Sequence, residues 1–292
     1  MKFKQKNNFQ RPKNNYSSST SNYSSYSNSN SNTLTTFIIY AIIIIIVVLI
    51  IFYVINNNNK FTENYERIRF LNKDETSQFF KSDPDNYIKN LTPLDVKAQR
   101  SISKDDYQLK IIESADSFTP EEIQKLKVAC TKADLALKKI KIPGFDGKKA
   151  SNLSWNLALT RGKNYEDGLP HTRLDTIFLT DLVLKSSPLQ LAKTMLHEKV
   201  HVYERLFPED IEVWLNYKGY KPFKKWDEIK NARSNPDINE WAYLDPNGKP
   251  MVVLYKSNNP KNIHEVNYPV GDEPASEHPY ETLAYYLEKY LN

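Results

Sequence analysis

The residues of this chain best suited to chemistry lie in the segment TMLHEKVHVYERLFP, Thr194 to Pro208. It places His197 and His201 four residues apart, with Glu198 directly after the first histidine. On a helix, side chains four residues apart share one face, so the two imidazoles can point at a common atom. Zinc takes neutral imidazole nitrogens at about 2.0–2.1 Å, and a neighbouring glutamate can serve as general base towards a water. The segment therefore predicts a zinc site with hydrolytic chemistry.

A helix that merely carries surface histidines is the alternative interpretation of this segment. The chain has only five histidines, so a chance match to His-Glu-x-x-His has odds of roughly one in a hundred or less. The single cysteine, Cys130, excludes an intramolecular disulfide framework and a cysteine-based zinc cluster. We expect Cys130 to pack inside a helix as a small apolar residue. The pattern favours the metal site.

The motif needs a rigid helix, and the flanking residues predict one. Ser187 is a suitable cap, Pro188 suits the first helical position, and Pro208 is expected to end the helix near Phe207. Apolar residues recur every three or four positions and predict a core-facing stripe: Leu189, Ala192, Leu196, Val200, Tyr203 and Phe207. Strands are predicted before the helix, near 151–160 and over 174–181, and a further helix begins at Thr119 and Pro120.

A second segment with a clear physical meaning is FIIYAIIIIIVVLIIFYVI, Phe37 to Ile55, which contains no charged residue. About 20 helical residues cross a hydrocarbon core of roughly 30 Å. A cleaved signal peptide is the alternative, but its apolar region is usually shorter and ends in small residues. Here Asn56 to Asn59 and Lys60 follow. The segment therefore predicts a retained transmembrane helix and a lipid bilayer as a partner.

Charge is distributed unevenly around this segment. Residues 1–36 hold five basic side chains and no acidic one, whereas the rest of the chain is balanced at 35 basic and 35 acidic residues. This balance gives no support to nucleic-acid binding, which needs a dense basic face. Because basic residues stay on the cytoplasmic side, the N-terminus is expected there and the main domain outside the cytosol or in a lumen. Asn90 in NLT and Asn152 in NLS are then candidate glycosylation acceptors.

Composition divides the chain into four parts. Residues 1–36 are rich in Asn, Ser and Tyr, with too little aliphatic surface to fold, and are expected to be disordered. Residues 37–55 are the transmembrane helix, and 56–104 read as a stalk or helical linker. Residues 105–292 are enough for one core, and their mixture of strands and helices predicts an α+β domain.

Residues 105–292 resemble the zincin metallopeptidases, whose active-site helix carries the motif seen here as HEKVH. The resemblance implies a zincin-like domain with zinc-dependent peptidase activity and a protein or peptide substrate. In the metzincin subclass, a glycine and a third histidine would stand where this chain has Glu204 and Phe207. That subclass is excluded.

A gluzincin-like member instead has a glutamate from a second helix as the third zinc ligand. The segment EHPYETLAYYLEKYL fits this pattern, with a helix from Pro279, Glu281 in its first turn and Ala284 three residues later. Glu240 in INEWAYLD is the alternative, by analogy with thermolysin-like enzymes, although a turn at residues 245–248 predicts that it opens a hairpin. The resemblance thus implies His197, His201 and Glu281 as ligands, with Glu198 as the catalytic base.

The other histidines lack helical spacing to the motif. We expect His278 to cap a helix or face substrate, and His171 to shape the cleft or bond within a loop. His264 is a further candidate nitrogen donor for the metal. In zincins, a strand before the active-site helix aligns the substrate, which implies that role for 176–180. Tyr280, Tyr285 and His278 are all candidates to steady the oxyanion.

The longer frame LPHTRLDTIFLTD followed by TMLHEKVHVYERLFP resembles more narrowly a group of membrane-anchored zinc peptidases of large DNA viruses. It implies a virion or host-derived membrane for the anchor. Two other functions remain open. One is a membrane-tethered structural or interaction protein that keeps the zincin fold without catalysis, and the other is a zinc hydrolase that acts on a substrate other than peptide. The oligomeric state is not predicted.

Overall fold

The computed structural model describes residues 30–65, 67–271 and 273–291. The chain divides into two compact units, residues 1–58 and 59–292, with a mixed α+β fold in the second. The predicted disordered tail lies outside the described residues as far as residue 29.

The first unit contains most of a single long helix, α1 (Asn30–Tyr65). Its segment Thr35–Ile55 is long and apolar enough to cross a membrane, and the side chains of that segment are exposed. The predicted span, 37–55, lies inside it. Residues 30–36 and 56–65, which the composition assigns to the tail and the linker, also belong to α1. A helix gains one hydrogen bond per added residue, so it need not end where the apolar side chains end.

The second unit contains the remaining elements. Its strands are β1 (Ile68–Phe70), β2 (Ala115–Asp116), β3 (Lys141–Ile142), β4 (Phe145–Asp146), β5 (Trp155–Thr160), β6 (His171–Arg173), β7 (Thr176–Thr180), β8 (Lys221–Lys225), β9 (Trp241–Leu244), β10 (Pro250–Met251), β11 (Leu254–Tyr255) and β12 (Val266–Asn267). Its α-helices are α2 (Lys73–Ser82), α3 (Tyr87–Asn90), α4 (Pro93–Ala98), α5 (Lys104–Ser114), α6 (Pro120–Leu137), α7 (Gly147–Ser151), α8 (Pro188–Leu206), α9 (Pro208–Lys218) and α10 (Pro279–Glu288).

The main sheet has the strand order β1-β5-β7-β6, and β2 also pairs with β5. Strands β1, β5 and β7 are parallel, while β6 runs antiparallel to β7. Along β5 and β7, alternate side chains such as Leu157 and Ile177 join the larger core cluster, which also contains residues of α6, α8 and α10. This face of the sheet therefore supports the helix that carries the motif.

The opposite face of the sheet is covered by residues that the sequence assigns to the linker. Ala158 and Phe178 share a second core cluster with Leu71 and Phe80, and the Tyr107 side chain joins them. Residues 67–104 therefore form β1 and four helices or parts of helices within the second unit, rather than a stalk. The physical reason is that alternate residues of a buried strand point to both faces, so the second face also needs a cover.

Helix α8 starts as predicted, because the Ser187 side chain accepts a hydrogen bond from the Gln190 amide and Pro188 occupies the first turn. Pro208 ends it and opens α9. Along the predicted stripe, Leu196 and Val200 are buried, but Leu189 is 49% exposed and leaves the core at the first turn.

Strands β6 and β7 form a hairpin that the sequence does not announce. The two residues between them are Leu174 and Asp175, and Leu174 has a φ of +52°. Two-residue hairpin turns usually carry Gly or Asn at such positions, because these residues tolerate positive φ. The pattern 174–181 therefore reads as one strand, although only 176–180 form β7.

Candidate metal centre

Two helices bring together three side chains that could hold a metal ion. His197 and His201 come from α8 and Glu281 from α10, and one ligand atom of each lies within 4.8 Å of the others. The Glu281 Oε2 atom is 3.3 Å from His197 Nε2 and 3.9 Å from His201 Nε2. All three residues are buried.

The start of α10 explains how Glu281 reaches this position. His278 caps the helix by accepting a hydrogen bond from the Tyr280 amide, and Pro279 occupies the first turn. Ala284, one turn after Glu281, is fully buried in the core cluster shared with α8. Its small side chain permits a close approach of the two helices. The carboxylate thus enters the cluster from the first turn, where the helix dipole favours negative charge.

Each histidine is oriented by a second carboxylate on its other ring nitrogen. His201 Nδ1 donates to Glu204 Oε2 at 2.7 Å, and His197 Nδ1 donates to Glu288 Oε1 at 3.0 Å. This pairing leaves both Nε2 atoms directed at Glu281. His201 Nε2 is buried and has no hydrogen-bond partner among the described residues. A buried acceptor without a partner is costly, and a metal ion at this position would satisfy it.

The charges of this cluster are strongly coupled. Burial opposes charge on His197, but its hydrogen bonds to Glu281 and Glu288 outweigh that effect and raise its pKa well above the usual value. Burial lowers the pKa of His201 well below its usual value. Burial would raise the pKa of Glu281, but the hydrogen bond from His197 and the charges of both histidines lower it to about 2. The negative Glu281 carboxylate therefore faces the neutral His201 imidazole and the cationic His197 imidazole. A divalent cation bound here would take the place of the extra proton on His197.

Glu198 lies beside the three candidate ligands and is 2% exposed. Its Oε2 atom is 2.8 Å from Thr172 Oγ1, which donates to it from β6. Burial raises the pKa of Glu198 to about 7. The carboxyl group is therefore placed and tuned to exchange a proton near neutral pH.

The centre opens into a cleft of about 320 Å³. Its wall includes candidate ligands and the base, together with residues of the segments 233–237 and 263–268. Tyr285 also lines the cleft, and its ring lies 4.6 Å from the ring of His197, edge to face. A substrate of modest size could thus reach the ligands and Glu198 together.

Of the other residues that the sequence singles out, His171 and His264 line the cleft without belonging to the cluster, and Glu240 lies away from both. Glu240 is exposed, outside the cluster, and directly precedes β9 of the β9–β10 hairpin. His264 pairs with Asp167 at 3.0 Å. His171 lines the cleft and bonds within its loop, as expected, because its Nδ1 atom is 3.2 Å from the Leu169 carbonyl oxygen. It is buried and its ring stacks on Phe178. The glutamate of the cluster is therefore Glu281 and not Glu240.

Two of the three candidates for the oxyanion position, His278 and Tyr280, do not line the cleft. His278 accepts from the Tyr280 amide and donates to the Trp241 carbonyl oxygen at 3.0 Å. The Tyr280 hydroxyl accepts from Asn239 at 3.0 Å, and Tyr280 does not line the cleft. Only Tyr285 among the three reaches the cleft.

The expectation that 176–180 pairs with an extended substrate is wrong. Strand β7 is paired with β5 along one edge and with β6 along the other. The edge strand next to α8 is β6, and the Thr172 amide already donates to Asp237 Oδ1 at 2.6 Å. Strand addition along the whole of 176–180 is excluded because β5 pairs with all five residues on one edge and β6 covers 176–178 on the other.

Four residues of this centre are absent from the sequence-based prediction. They are Thr172, Glu204, Asn235 and Glu288, and each bonds to a ligand or to Glu198. The contact between Glu204 and His201 could have been predicted, because Glu204 lies three residues after His201 on the same helix. The other three approach from distant parts of the chain.

Comparisons of the chain with protein families, with curated proteins and with solved structures found no match. The interpretation of this centre therefore rests on its own geometry and on the motif.

Proposed function

We propose that this protein is a membrane-anchored, zinc-dependent peptidase of the zincin class, with His197, His201 and Glu281 as zinc ligands and Glu198 as general base. The observation that carries this proposal is the convergence of the three candidate ligands from α8 and α10, two of which, His197 and Glu281, line one cleft together with Glu198. The unpartnered His201 Nε2 atom supports it.

The donor set fits zinc, and the His-Glu-x-x-His motif favours zinc over iron(II), which takes the same two imidazoles and one carboxylate. Two imidazoles and one carboxylate are typical of catalytic zinc sites, which keep a fourth position for water or substrate. Calcium and magnesium prefer sites made of oxygen ligands, and copper sites of the electron-transfer type need a cysteine. The chain's one cysteine, Cys130, is buried in α6, as expected, and does not belong to the cluster.

When bound, zinc would act as a Lewis acid that lowers the pKa of water and polarises a carbonyl group. Glu198 would take a proton from the attacking water and deliver it to the leaving amine. Tyr285, whose side chain lines the cleft beside His197, would donate its hydroxyl proton in a hydrogen bond to the developing oxyanion.

Metal content provides the first test of this proposal. The full chain, purified in detergent, is expected to hold near one zinc ion per molecule by mass spectrometry. His201→Ala and Glu281→Ala should lose the metal because each removes a ligand. Glu240→Ala is the matched control and should keep it. Absence of zinc from the wild-type protein, or its loss in Glu240→Ala alone, would contradict the assignment.

Activity provides the second test. The zinc-loaded protein is expected to cleave members of a peptide library, and Glu198→Gln should lower the rate by about 10²–10⁴-fold while retaining zinc. Zinc binding without peptide cleavage would instead support a catalytically silent zincin-fold interaction protein or a hydrolase with another substrate.

We also propose that α1 anchors the protein with its N-terminus in the cytoplasm and the second unit outside the cytosol, in a host-derived or virion membrane. Asn90 and Asn152 of the two glycosylation triplets are both exposed, which supports their access to the modifying enzyme. Expression in a eukaryotic secretory system should therefore give a mobility shift that Asn90→Gln with Asn152→Gln abolishes. The opposite orientation predicts no shift from these two sites.

A further inference from the structure

The edge strand β6 contributes one side chain to the centre, and it contacts the proposed base. Thr172 is fully buried. Its Oγ1 atom lies 2.8 Å from Glu198 Oε2 and 3.2 Å from the Glu198 carbonyl oxygen. A hydroxyl group that is closed off from water must donate its proton within the protein. Of the two acceptors, the Glu198 carboxylate oxygen is both closer and stronger than the Glu198 carbonyl oxygen. The hydroxyl therefore holds one oxygen of Glu198 in a defined place.

The backbone of Thr172 is also held by hydrogen bonds. The Thr172 amide donates to Asp237 Oδ1 at 2.6 Å, and the Asp237 amide donates to Asn235 Oδ1 at 2.8 Å. Asn235 Nδ2 in turn donates to Glu281 Oε1 at 3.0 Å. A continuous chain of hydrogen bonds thus joins the proposed base, Glu198, to the proposed ligand, Glu281.

The segment that carries Asn235 and Asp237 is itself anchored. The Ser234 amide and hydroxyl both donate to Asp95, at 3.0 and 2.8 Å. Arg205 donates to the carbonyl oxygen of Pro236. These contacts hold the segment to α4 and α8, so Thr172 is supported by a fixed frame.

We propose that Thr172 is a positioning residue, whose hydroxyl group holds the Glu198 carboxylate in place beside the proposed ligands His197 and Glu281. This inference rests on the proposed function, because it assigns a task to Glu198. A glutamate side chain has three rotatable bonds, and a base must be held within hydrogen-bond reach of the proton that it takes. The single donor from β6 removes that freedom while leaving the other carboxylate oxygen available.

A purely structural role for Thr172 makes a different prediction. If the residue only fills space between β6 and α8, then Thr172→Val should be tolerated, because valine has the same shape without the hydroxyl. If the residue orients Glu198, then the effect of Thr172→Val should depend on the presence of the Glu198 carboxylate. A double-mutant cycle measures this dependence.

The experiment uses acetohydroxamic acid as a probe, since it chelates zinc and offers a donor to a neighbouring carboxylate. Its affinity for the zinc-loaded full chain in detergent would be measured by calorimetry, with zinc content determined for each variant. Thr172→Val should weaken binding about tenfold, and Thr172→Ser, which keeps the hydroxyl, should stay within about threefold of wild type. In a Glu198→Gln background, Thr172→Val should change the affinity less than about twofold.

An equal loss in both backgrounds, or no loss in either, would overturn the positioning role. Thr172→Ala provides a second variant if the valine protein does not fold, and the same pattern is expected of it. A wild-type protein that binds no zinc would overturn the proposed function and this inference together. A protein that binds zinc and the hydroxamate, but shows no coupling between Thr172 and Glu198, would overturn only the inference.

Discussion

The two sides of helix α8 both bury ionisable groups, yet they differ in how those groups are satisfied. On one side, His197 and His201 meet Glu281, and His197 and Glu281 line the cleft. On the other, the Lys199 amine donates to the carbonyl oxygens of Leu153 and Ser154, at 2.6 and 3.3 Å. Lys199 is fully buried, and its Nζ lies 3.7 Å from the centre of the Trp155 ring.

This difference shows that burial of a charged group does not by itself mark a site. Burial lowers the pKa of Lys199 to about 8, so the pKa of this group is shifted, as are those of the three candidate ligands. Its donors, however, are used within the protein, and Lys199 is not among the residues that line the cleft. His201 Nε2 has no partner among the described residues. Asp134 Oδ1, 3.9 Å from the Lys199 amine, also has no hydrogen-bond partner among the described residues. The difference between the two sides is therefore that His197 and Glu281 line an open cleft, whereas Lys199 does not.

The largest expected effect is a difference in zinc affinity between a variant on the histidine side of α8 and one on the Lys199 side. His201→Ala should lower zinc affinity by more than about 100-fold, because loss of a partner that only orients a ligand already costs 10–100-fold. Lys199→Met, two residues earlier, should leave zinc affinity unchanged. Competition with a chelator of known affinity measures both. Equal losses in the two variants would show that the comparison does not hold.

The second effect concerns stability, which is expected to depend on Lys199 rather than on the side of α8 that carries the histidines. Lys199→Met should lower the free energy of unfolding by about 3 kcal/mol, because it leaves buried Asp134, 3.9 Å from the amine, without that cation. Lys132→Met, an exposed lysine on α6, is the control and should change it by less than about 0.5 kcal/mol. Urea denaturation of the zinc-free proteins measures this difference. A change in Lys199→Met as small as in the control would mean that Lys199 has no structural role.

A smaller effect is expected from the carboxylate behind His201. Glu204→Gln should reduce zinc affinity by about 10–100-fold, since it replaces the carboxyl partner of His201 Nδ1 with an amide. The peptide backbone and the three ligands stay in place. Zinc competition against wild type tests this, and an unchanged affinity would show that Glu204 does not act on the metal through His201.

The smallest effect is expected from Glu288, which has the same role for His197 but a side chain that is 20% exposed. Water can replace part of its hydrogen bond, so Glu288→Gln should weaken zinc binding by about tenfold or less. The order of the two glutamine variants in one zinc competition series is the critical result. A larger loss in Glu288→Gln than in Glu204→Gln would contradict the link between burial and effect.

Much of the active helix is predictable because its signals are local. The cap at Ser187, the proline at 188 and the motif spacing are all contained within consecutive residues, and α8 begins where they indicate. The same holds for the apolar segment of α1, the start of α6 at Pro120 and the start of α10 at Pro279. Short-range patterns of this kind need no knowledge of the remaining chain.

The sequence is least informative where a contact depends on distant residues. Residues 67–104 look like a linker because their apolar side chains are scattered, yet Leu71 and Phe80 cover one face of the sheet. The hairpin between β6 and β7 has no glycine or asparagine in its turn, so the edge strand that carries Thr172 gives no signal. These features follow from packing rather than from local preference.

The sequence by itself determined the pair of histidines, the adjacent glutamate, the helix that carries them and the apolar segment long enough to span a membrane. Only the tertiary structure decided that Glu281 rather than Glu240 completes the cluster, and that Glu288, 91 residues from His197, orients it. Spacing along one helix is fixed by its 3.6-residue turn, so a sequence is enough to read it. The meeting of two helices and an edge strand depends on how their apolar faces pack, and that is a property of the folded chain.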